Sequence, residues 1–363
     1  MLFLVIQEFR IALQTEQGML RSWLLVLWAT SFGGTFKLRL PHSRLRPLLR
    51  SIPPDCAEGE GDADSVTSPS WTPRPDVTRF VGRVMYDGAG FRGWQDQDKR
   101  LRTVQGTMNR AFRQRFDREN IHVTGSSRTD FGVHARGQAF HFDLPDKDAS
   151  SLFYSPDSHS KFEYTMNRLL PDDIKIYNLT WAPLKPNEPF FHAIASAKAK
   201  HYSYKFCIND FVEPVQRRYC SHFYKPIDLE LFEKSLMCFV GTHDFSAFAN
   251  KIEHNTRDFD AARLSKFSAI RNIIKVSLSP EEGLKGYYRI DFYIASALYK
   301  MLRNIVGTSK LVGEGKMPLQ TLQDLLERHP SRRENPAKSA PPEGLTLESV
   351  YFDHYGALSI PQN

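Results

Sequence analysis

The sequence is short of the residues that build metal centres and disulfide frameworks. It has 363 residues but only 4 cysteines, Cys56, Cys207, Cys220 and Cys238. None of them forms a CxxC pair, so we predict neither a zinc site of that kind nor a dense disulfide framework, and a reducing compartment fits. The 12 histidines have no HxxxH or HExxH spacing. We therefore predict no metal ion.

Long apolar runs and, near the N-terminus, acidic residues are also missing. The apolar run SWLLVLWATSF spans only eleven positions, and a membrane helix needs about 20. Residues 20–54 contain arginines and no acid, which is typical of an organelle transit peptide. We predict that residues 1–78 are a targeting segment followed by a disordered linker. Import into an organelle is favoured, a mitochondrion ahead of a plastid, and a secretory signal or a cytoplasmic protein with an N-terminal extension is the alternative.

The positive charge belongs to the part of the chain that is predicted to fold. The net charge is +7 overall, +5 in residues 1–54 and −5 in residues 55–64, so residues 65–363 carry the whole +7. A basic protein is suited to a polyanion, because lysine and arginine release counterions when they bind phosphates. Ordinary solubility charge is the alternative.

Hydrophobic periodicity predicts an α+β protein. Strand patterns and helix patterns alternate from residue 79 onward, and Thr103 is suited to be the N-cap of a helix that carries Val104, Met108 and Phe112. We predict two α/β sandwich halves, residues 79–195 and 196–363, with mixed or antiparallel sheets around a central basic cleft. The other predicted elements are the strands FVGRVMY, IHVT, QAFHFDL, HYSYKFCI, IIKVSL and YYRIDFYIA, and the helices LELFEKSLMCFV and ALYKMLRNIVGTSKLV.

A long connection between two predicted strands concentrates charged side chains. It reads GSSRTDFGVHARGQ, from Gly125 to Gln138. Hairpin loops usually have two to five residues, so a connection of about a dozen is typical of a functional loop. In an extended segment Arg128 and Asp130 face the same way, and the guanidinium favours an ionised carboxylate suited to a nucleophile or base. A structural Arg–Asp pair that pins the loop is the alternative.

The full string resembles a known family. RTDFGVHA followed by GQ, together with YDG and GW between Tyr86 and Trp94, is similar to the motifs of the tRNA pseudouridine synthase A (TruA) family. Further pieces follow in the family's order: FHA (191–193), YSY (202–204), HDFSAF (243–248), MLRNIVG (301–307) and EGL (343–345). The resemblance covers about residues 79–355.

This resemblance implies the pseudouridine synthase fold and an isomerase that uses no cofactor. Such an enzyme detaches uracil from its ribose, turns it, and rejoins it through C5. The implied substrate is tRNA, at uridines of the anticodon stem-loop within positions 38–40, and the implied assembly is a homodimer.

The same resemblance implies roles for four residues. Asp130 would be the catalytic aspartate of the RTD motif, which attacks the nucleotide at the ribose C1′ or at the base. Arg128 would keep Asp130 ionised and help displace the target base. Tyr202 would stack on the extruded base and is a candidate for the C5 proton step, although its alternating strand also fits a plain core position. Arg303 would pair with Asp130, and the alternative is an arginine whose stem lies along its helix with the head in water.

Three positions depart from the family pattern. Ser127 stands where a glycine is common, Ile194 where an arginine is usual, and Leu298 where an aromatic residue is usual. His134 and Arg136 receive no individual role. Candidates for phosphate contacts, each equally well explained as part of a solvated face, are Lys198, Lys200, Arg217, Arg218, Arg328, Arg332 and Arg333.

Two other functions remain open from the sequence. One is an RNA-binding or tRNA-folding protein on the same scaffold whose activity is dispensable, and the complete set of four site residues argues against it. The other is a hydrolase such as a glycosidase, which needs two carboxylates about 5 to 10 Å apart. The loop offers only Asp130 among cationic neighbours, which does not suit an acid and base pair.

Overall fold

The computed structural model describes residues 76–97, 100–152, 155, 157–182, 190–250 and 268–353. These residues belong to one compact unit, residues 67–363. The predicted targeting segment and nearly all of the predicted linker, residues 1–75, lie outside the described residues. The first strand begins at Val77, inside the segment that the sequence assigned to the linker.

Ten strands form one mixed sheet in the described part of the chain. They are β1 (Val77–Tyr86), β2 (Thr124–Gly125), β3 (His134–Pro145), β4 (Ile174–Trp181), β5 (Ala199–Cys207), β6 (Ser221–His222), β7 (Gly241–Asp244), β8 (Ile270–Pro280), β9 (Tyr287–Ile294) and β10 (Leu345–Tyr351). The helices are α1 (Val104–Phe116), α2 (Asp146–Leu152), α3 (Ser158–Leu169), α4 (Leu229–Met237), α5 (Met301–Gly313) and α6 (Leu319–Arg328). The predicted α+β class is confirmed.

The sheet runs through both predicted halves of the chain. Its main order is β4-β1-β3-β10-β5-β9-β8-β7, with β2 added to β3 and β6 added to β5. Most pairs are antiparallel, whereas β10 pairs in parallel with β3, as Thr346 opposite His134 shows. On its other side β10 is antiparallel to β5, where Leu347 lies opposite Tyr202. Strand β10 therefore brings the RTD loop, which precedes β3, next to the strand that carries Tyr202.

Local sequence explains most of these elements. Thr103 is the N-cap of α1, and its hydroxyl accepts a hydrogen bond from the amide of Gly106 at 3.2 Å. The apolar face of α1 is buried, and Phe112 packs edge-on against Phe142 of β3 with ring centroids 4.7 Å apart. In the other half Phe206 of β5 stacks on Phe223 at 4.5 Å. These aromatic clusters hold the helices on the sheet. Among the described residues, no helix is long and apolar enough to cross a membrane.

Several predicted elements differ in extent from the structure: the helix LELFEKSLMCFV ends at Met237, the strand QAFHFDL begins at His134, and two further differences have a clear local cause. IHVT was predicted as a strand, but only Thr124 and Gly125 pair with β3. The backbone of Val123 is instead bonded to side chains of α1. Its amide donates to Asn109 at 2.8 Å, and its carbonyl accepts from Gln105 at 2.8 Å. The helix predicted from residue 297 begins at Met301, because Lys300 has the left-handed conformation, with φ 60°.

Candidate active site

The site is centred on an ion pair between residues far apart in sequence. Asp130 lies in the loop between β2 and β3, and Arg303 lies in the first turn of α5. The Nη1 atom of Arg303 donates to Oδ2 of Asp130 at 2.9 Å, and the two side chains are only 10% and 11% exposed. Among the described residues no partner binds Oδ1 of Asp130. One carboxylate oxygen is thus fixed by a cation while the other stays available to a ligand.

Arg303 is itself held from a second direction. Its Nε atom donates to the carbonyl of Ala340 at 2.7 Å, and the amide of Ala340 donates to the carbonyl of Arg303 at 2.8 Å. The segment around Ala340 can approach α5 because Gly307 has no side chain: a Cβ there would lie 2.0 Å from the carbonyl oxygen of Lys338. The glycine that ends MLRNIVG therefore allows the contact that orients Arg303.

Tyr202 reaches the same loop from β5. It is 6% exposed, and its hydroxyl forms a 3.0 Å hydrogen bond with the hydroxyl of Ser127. Burial raises the pKa of Tyr202 to about 12; the hydrogen bond to Ser127 lowers it, and the charge of Asp130 raises it further. At neutral pH the phenol is therefore protonated. Ser127, which stands where the family commonly has glycine, contributes a contact that glycine could not make.

Two buried polar side chains anchor the start of the loop. Gln138 of β3 accepts from the amide of Ser127 at 3.1 Å and donates to its carbonyl at 2.6 Å. Lys200 of β5 donates from Nζ to the carbonyl of Ser126 at 2.7 Å and is 8% exposed. Burial lowers the pKa of Lys200 to about 8. Its burial excludes Lys200 from the solvent-exposed phosphate contacts suggested by the sequence.

The YDG and GW motifs support the residue just before Asp130. The hydroxyl of Tyr86 is 2.7 Å from the hydroxyl of Thr129. The amide of Trp94 donates to the carbonyl of Thr129 at 3.0 Å. Thr129 is therefore fixed by both its side chain and its backbone, which sets the position from which Asp130 extends.

Comparison with known proteins identifies the family of this chain. Residues 237–353 match the family model described as tRNA pseudouridine synthase. The chain is 37% identical over 276 residues to "tRNA pseudouridine synthase A" of Geobacillus sp., a match that covers 76% of this chain and 99% of the relative. It is 34% identical over 272 residues to "tRNA pseudouridine synthase A 1" of Protochlamydia amoebophila, covering 75% of this chain and 95% of the relative. The chain belongs to the tRNA pseudouridine synthase A family.

Within this family member, three of the four predicted site residues come together and one does not. Asp130, Arg303 and Tyr202 all meet at the loop, whereas Arg128 is exposed and forms no ion pair with any described residue. The predicted pairing of Arg128 with Asp130 is wrong. Arg128 is exposed between the buried residues Ser127 and Thr129, and the carboxylate of Asp130 is bound by Arg303 instead. Arg128 remains a candidate for contact with the substrate alone.

His134 and Arg136, left without roles by the sequence, have structural contacts. His134 accepts at Nδ1 from the amide of Gly88 at 3.0 Å, and so ties the YDG turn to β3. Arg136 is exposed, and its Nη1 lies 3.9 Å from a carboxylate oxygen of Glu348. Both line a groove of about 380 Å³ whose lining does not include Asp130.

Sequence reasoning missed the residues that hold the loop. Lys200 had a usable signal, because it lies two positions before Tyr202 on one strand and so shares its face. Gln138 is the last residue of GSSRTDFGVHARGQ and a polar residue at the start of an apolar run. Ala340 had no usable signal in the sequence, since it contributes only a backbone carbonyl to the site.

Proposed function

We propose that this protein is an isomerase that converts uridine to pseudouridine in tRNA, with Asp130 as the catalytic residue. The observation that carries the proposal is the buried ion pair of Asp130 with Arg303, in a chain that belongs to the tRNA pseudouridine synthase A family. The meeting of Asp130, Arg303 and Tyr202 at one loop also argues against a scaffold protein with dispensable activity.

The environment of Asp130 suits attack by an ionised carboxylate. Arg303 binds Oδ2, so the negative charge is stabilised and the carboxylate is held in one orientation. Oδ1 faces the ligand and attacks the nucleotide, at C1′ of the ribose or at the base. The bond between N1 of uracil and C1′ of the ribose then breaks, and the turned base bonds to C1′ through C5. The Asp130 carboxylate is released, C5 loses its proton and N1 gains one. Because the carboxylate is recessed, the target nucleotide must leave the RNA stack to reach it, at a cost of a few kcal/mol.

Tyr202 is best suited to hold the extruded base. Its hydroxyl is fixed by Ser127, which sets the orientation of the ring, and an aromatic face stacks on any base. A phenol with a pKa of about 12 is protonated at neutral pH. It is therefore a poor base for the C5 proton, and the stacking role is favoured over the proton step.

Replacing Asp130 with Asn tests the proposal. Asp130→Asn keeps the shape of the side chain and removes the nucleophilic charge, so pseudouridine formation in an unmodified tRNA transcript should be abolished. The affinity for tRNA should stay within about tenfold, because phosphate contacts elsewhere supply most of it. Comparable pseudouridine formation by the variant and the wild type would contradict the role of Asp130.

Three finer points belong to the same proposal. The target uridines lie in the anticodon stem-loop, within positions 38–40, and the protein is a homodimer; both rest on the family resemblance. The N-terminal segment, residues 1–78, directs import into an organelle, a mitochondrion in preference to a plastid. The acid-free, arginine-bearing composition of residues 20–54 supports this. A fluorescent reporter fused to residues 1–78 that stayed diffuse in the cytoplasm would contradict it.

A further inference from the structure

An exposed aromatic ring lies directly beside the recessed catalytic carboxylate. Phe131 follows Asp130 in the loop, and it is 51% exposed although the side chain of Asp130 is only 11% exposed. Half of the apolar surface of this phenylalanine remains hydrated, so Phe131 contributes less to stability than a buried phenylalanine would. The position at the rim of the site therefore calls for a functional explanation.

The ring of Phe131 is paired with a cation. The guanidinium carbon of Arg92 lies 4.8 Å from the centroid of the Phe131 ring. Arg92 is exposed and forms no ion pair with any described residue, so its charge is not neutralised by a protein carboxylate. An aromatic face with an adjacent free guanidinium can bind both parts of a nucleotide: the ring stacks on the base, and the cation stacks or binds phosphate.

The backbone presents this ring from a fixed position. Gly132 has φ +78°, and its amide donates to the carbonyl of Phe91 at 3.4 Å. The amide of Val133 donates to the carbonyl of Asp130 at 3.2 Å. Across the loop, a Cβ on Gly93 would lie only 3.3 Å from the amide nitrogen of Phe131, so the segment that carries Arg92 packs directly against the segment that carries Phe131. The backbone around Phe131 therefore loses little conformational entropy when RNA binds.

We propose that Phe131 and Arg92 form a stacking platform for the nucleobase next to the target uridine. This inference rests on the proposed function. When the target base leaves the stack to reach Asp130, its neighbour loses a stacking partner, and an aromatic ring at the rim replaces that partner. Stacking of this kind tolerates any base, so the platform binds the flanking nucleotide without selecting its identity.

Affinity measurements on Phe131 variants of the full chain test the platform. Phe131→Ala should weaken binding of an unmodified tRNA transcript by about 5- to 100-fold, the range found when one base–aromatic stack is removed. Phe131→Trp should bind at least as tightly as the wild type. The matched control is Tyr164→Ala on the outer surface of α3, where the tyrosine is 70% exposed, and it should bind like the wild type. Unchanged affinity of Phe131→Ala would overturn the proposal.

An RNA change on the other side of the contact identifies the stacked base. Abasic nucleotides are placed one at a time 5′ and 3′ of the target uridine. One of them should weaken binding by the wild type by the same factor as Phe131→Ala, and should have no further effect on that variant. Equal losses in the wild type and in Phe131→Ala would show that the base is not stacked on Phe131, and would overturn the platform.

The same experiments separate this inference from the proposed function. All affinities are also measured in the Asp130→Asn background, which needs no turnover. In one outcome the wild type forms no pseudouridine, while Phe131→Ala still binds tRNA more weakly and no longer responds to the abasic nucleotide. In that case the platform stands and the proposed reaction is wrong. If the wild type forms pseudouridine and Phe131→Ala binds normally, the reaction stands and the platform is wrong.

Discussion

Lys200 is a buried cation that serves the loop at the expense of stability. It is 8% exposed, and among the described residues its side chain forms no ion pair and one hydrogen bond, to the carbonyl of Ser126. Burial lowers its pKa from 10.5 to about 8. At about 1.4 kcal/mol for each pKa unit, keeping the charge costs about 3 kcal/mol at neutral pH. Its charge-assisted hydrogen bond offsets about 1.5 to 3 kcal/mol of this.

Replacing Lys200 with Met should therefore separate stability from activity. The variant loses the cost of the buried charge and also the hydrogen bond, so the free energy of unfolding at pH 7 should change by no more than about 2 kcal/mol. The carbonyl of Ser126 loses its donor, and the loop that carries Asp130 loosens. A displacement of about 1 Å can cost about 100-fold in rate, so single-turnover pseudouridine formation should fall roughly 10- to 100-fold. Urea denaturation and a single-turnover assay measure the two effects.

The pH dependence of stability checks the charge of Lys200 directly. Between pH 8 and pH 10.5 the folded protein has released the Lys200 proton and the unfolded protein still holds it. The unfolded state binds more protons, so the stability contributed by this group rises with pH. The free energy of unfolding of the wild type, relative to Lys200→Met, should rise by about 3 kcal/mol across this window and be constant below it. A flat difference, or a change of much more than about 2 kcal/mol in the variant at pH 7, would refute the reasoning.

Two further substitutions test the support of Asp130. Arg303→Met leaves the Asp130 carboxylate without its cation and should lower the free energy of unfolding, measured by urea denaturation, by about 3 to 5 kcal/mol. Adding Asp130→Asn should restore most of this stability, and an equal loss in the double variant would contradict the ion pair. Gly307→Ala places a Cβ 2.0 Å from the carbonyl oxygen of Lys338. It should lower the free energy of unfolding by about 1 to 3 kcal/mol and slow pseudouridine formation, because Ala340 is displaced. Pseudouridine formation at the wild-type rate would show that the position of Ala340 does not matter.

The fold could be predicted from sequence wherever a local pattern decides the structure. The N-cap at Thr103 and the buried face of α1 follow from residue types within one helix, and the β8–β9 pair follows from alternation in adjacent segments. IHVT failed as a strand because side chains of α1, Asn109 and Gln105, bind its backbone. Tertiary contacts of this kind leave no trace in the pattern of the segment itself.

The candidate site shows the same division. Asp130, Tyr202 and Arg303 could be predicted because each lies in a motif. The pairing of Asp130 with Arg128 was predicted from their spacing and is wrong. The pairing of Asp130 with Arg303, 173 positions away in sequence, was implied by the family resemblance alone, and the structure shows it. Lys200 bonds to a carbonyl 74 positions away. Such contacts depend on β10, which inserts between β3 and β5 and so sets which side chains meet.

The way in which the loop is anchored explains how it can be both rigid and reactive. Gln138 and Lys200 bind backbone groups of Ser127 and Ser126, and Tyr86 binds the side chain of Thr129. None of these anchors uses the carboxylate of Asp130. Among the described residues only Arg303 binds that carboxylate, and only at Oδ2. Because the contacts that anchor the loop are made by the residues next to Asp130, the loop can be ordered before the RNA arrives, while Oδ1 of Asp130 remains open to the nucleotide.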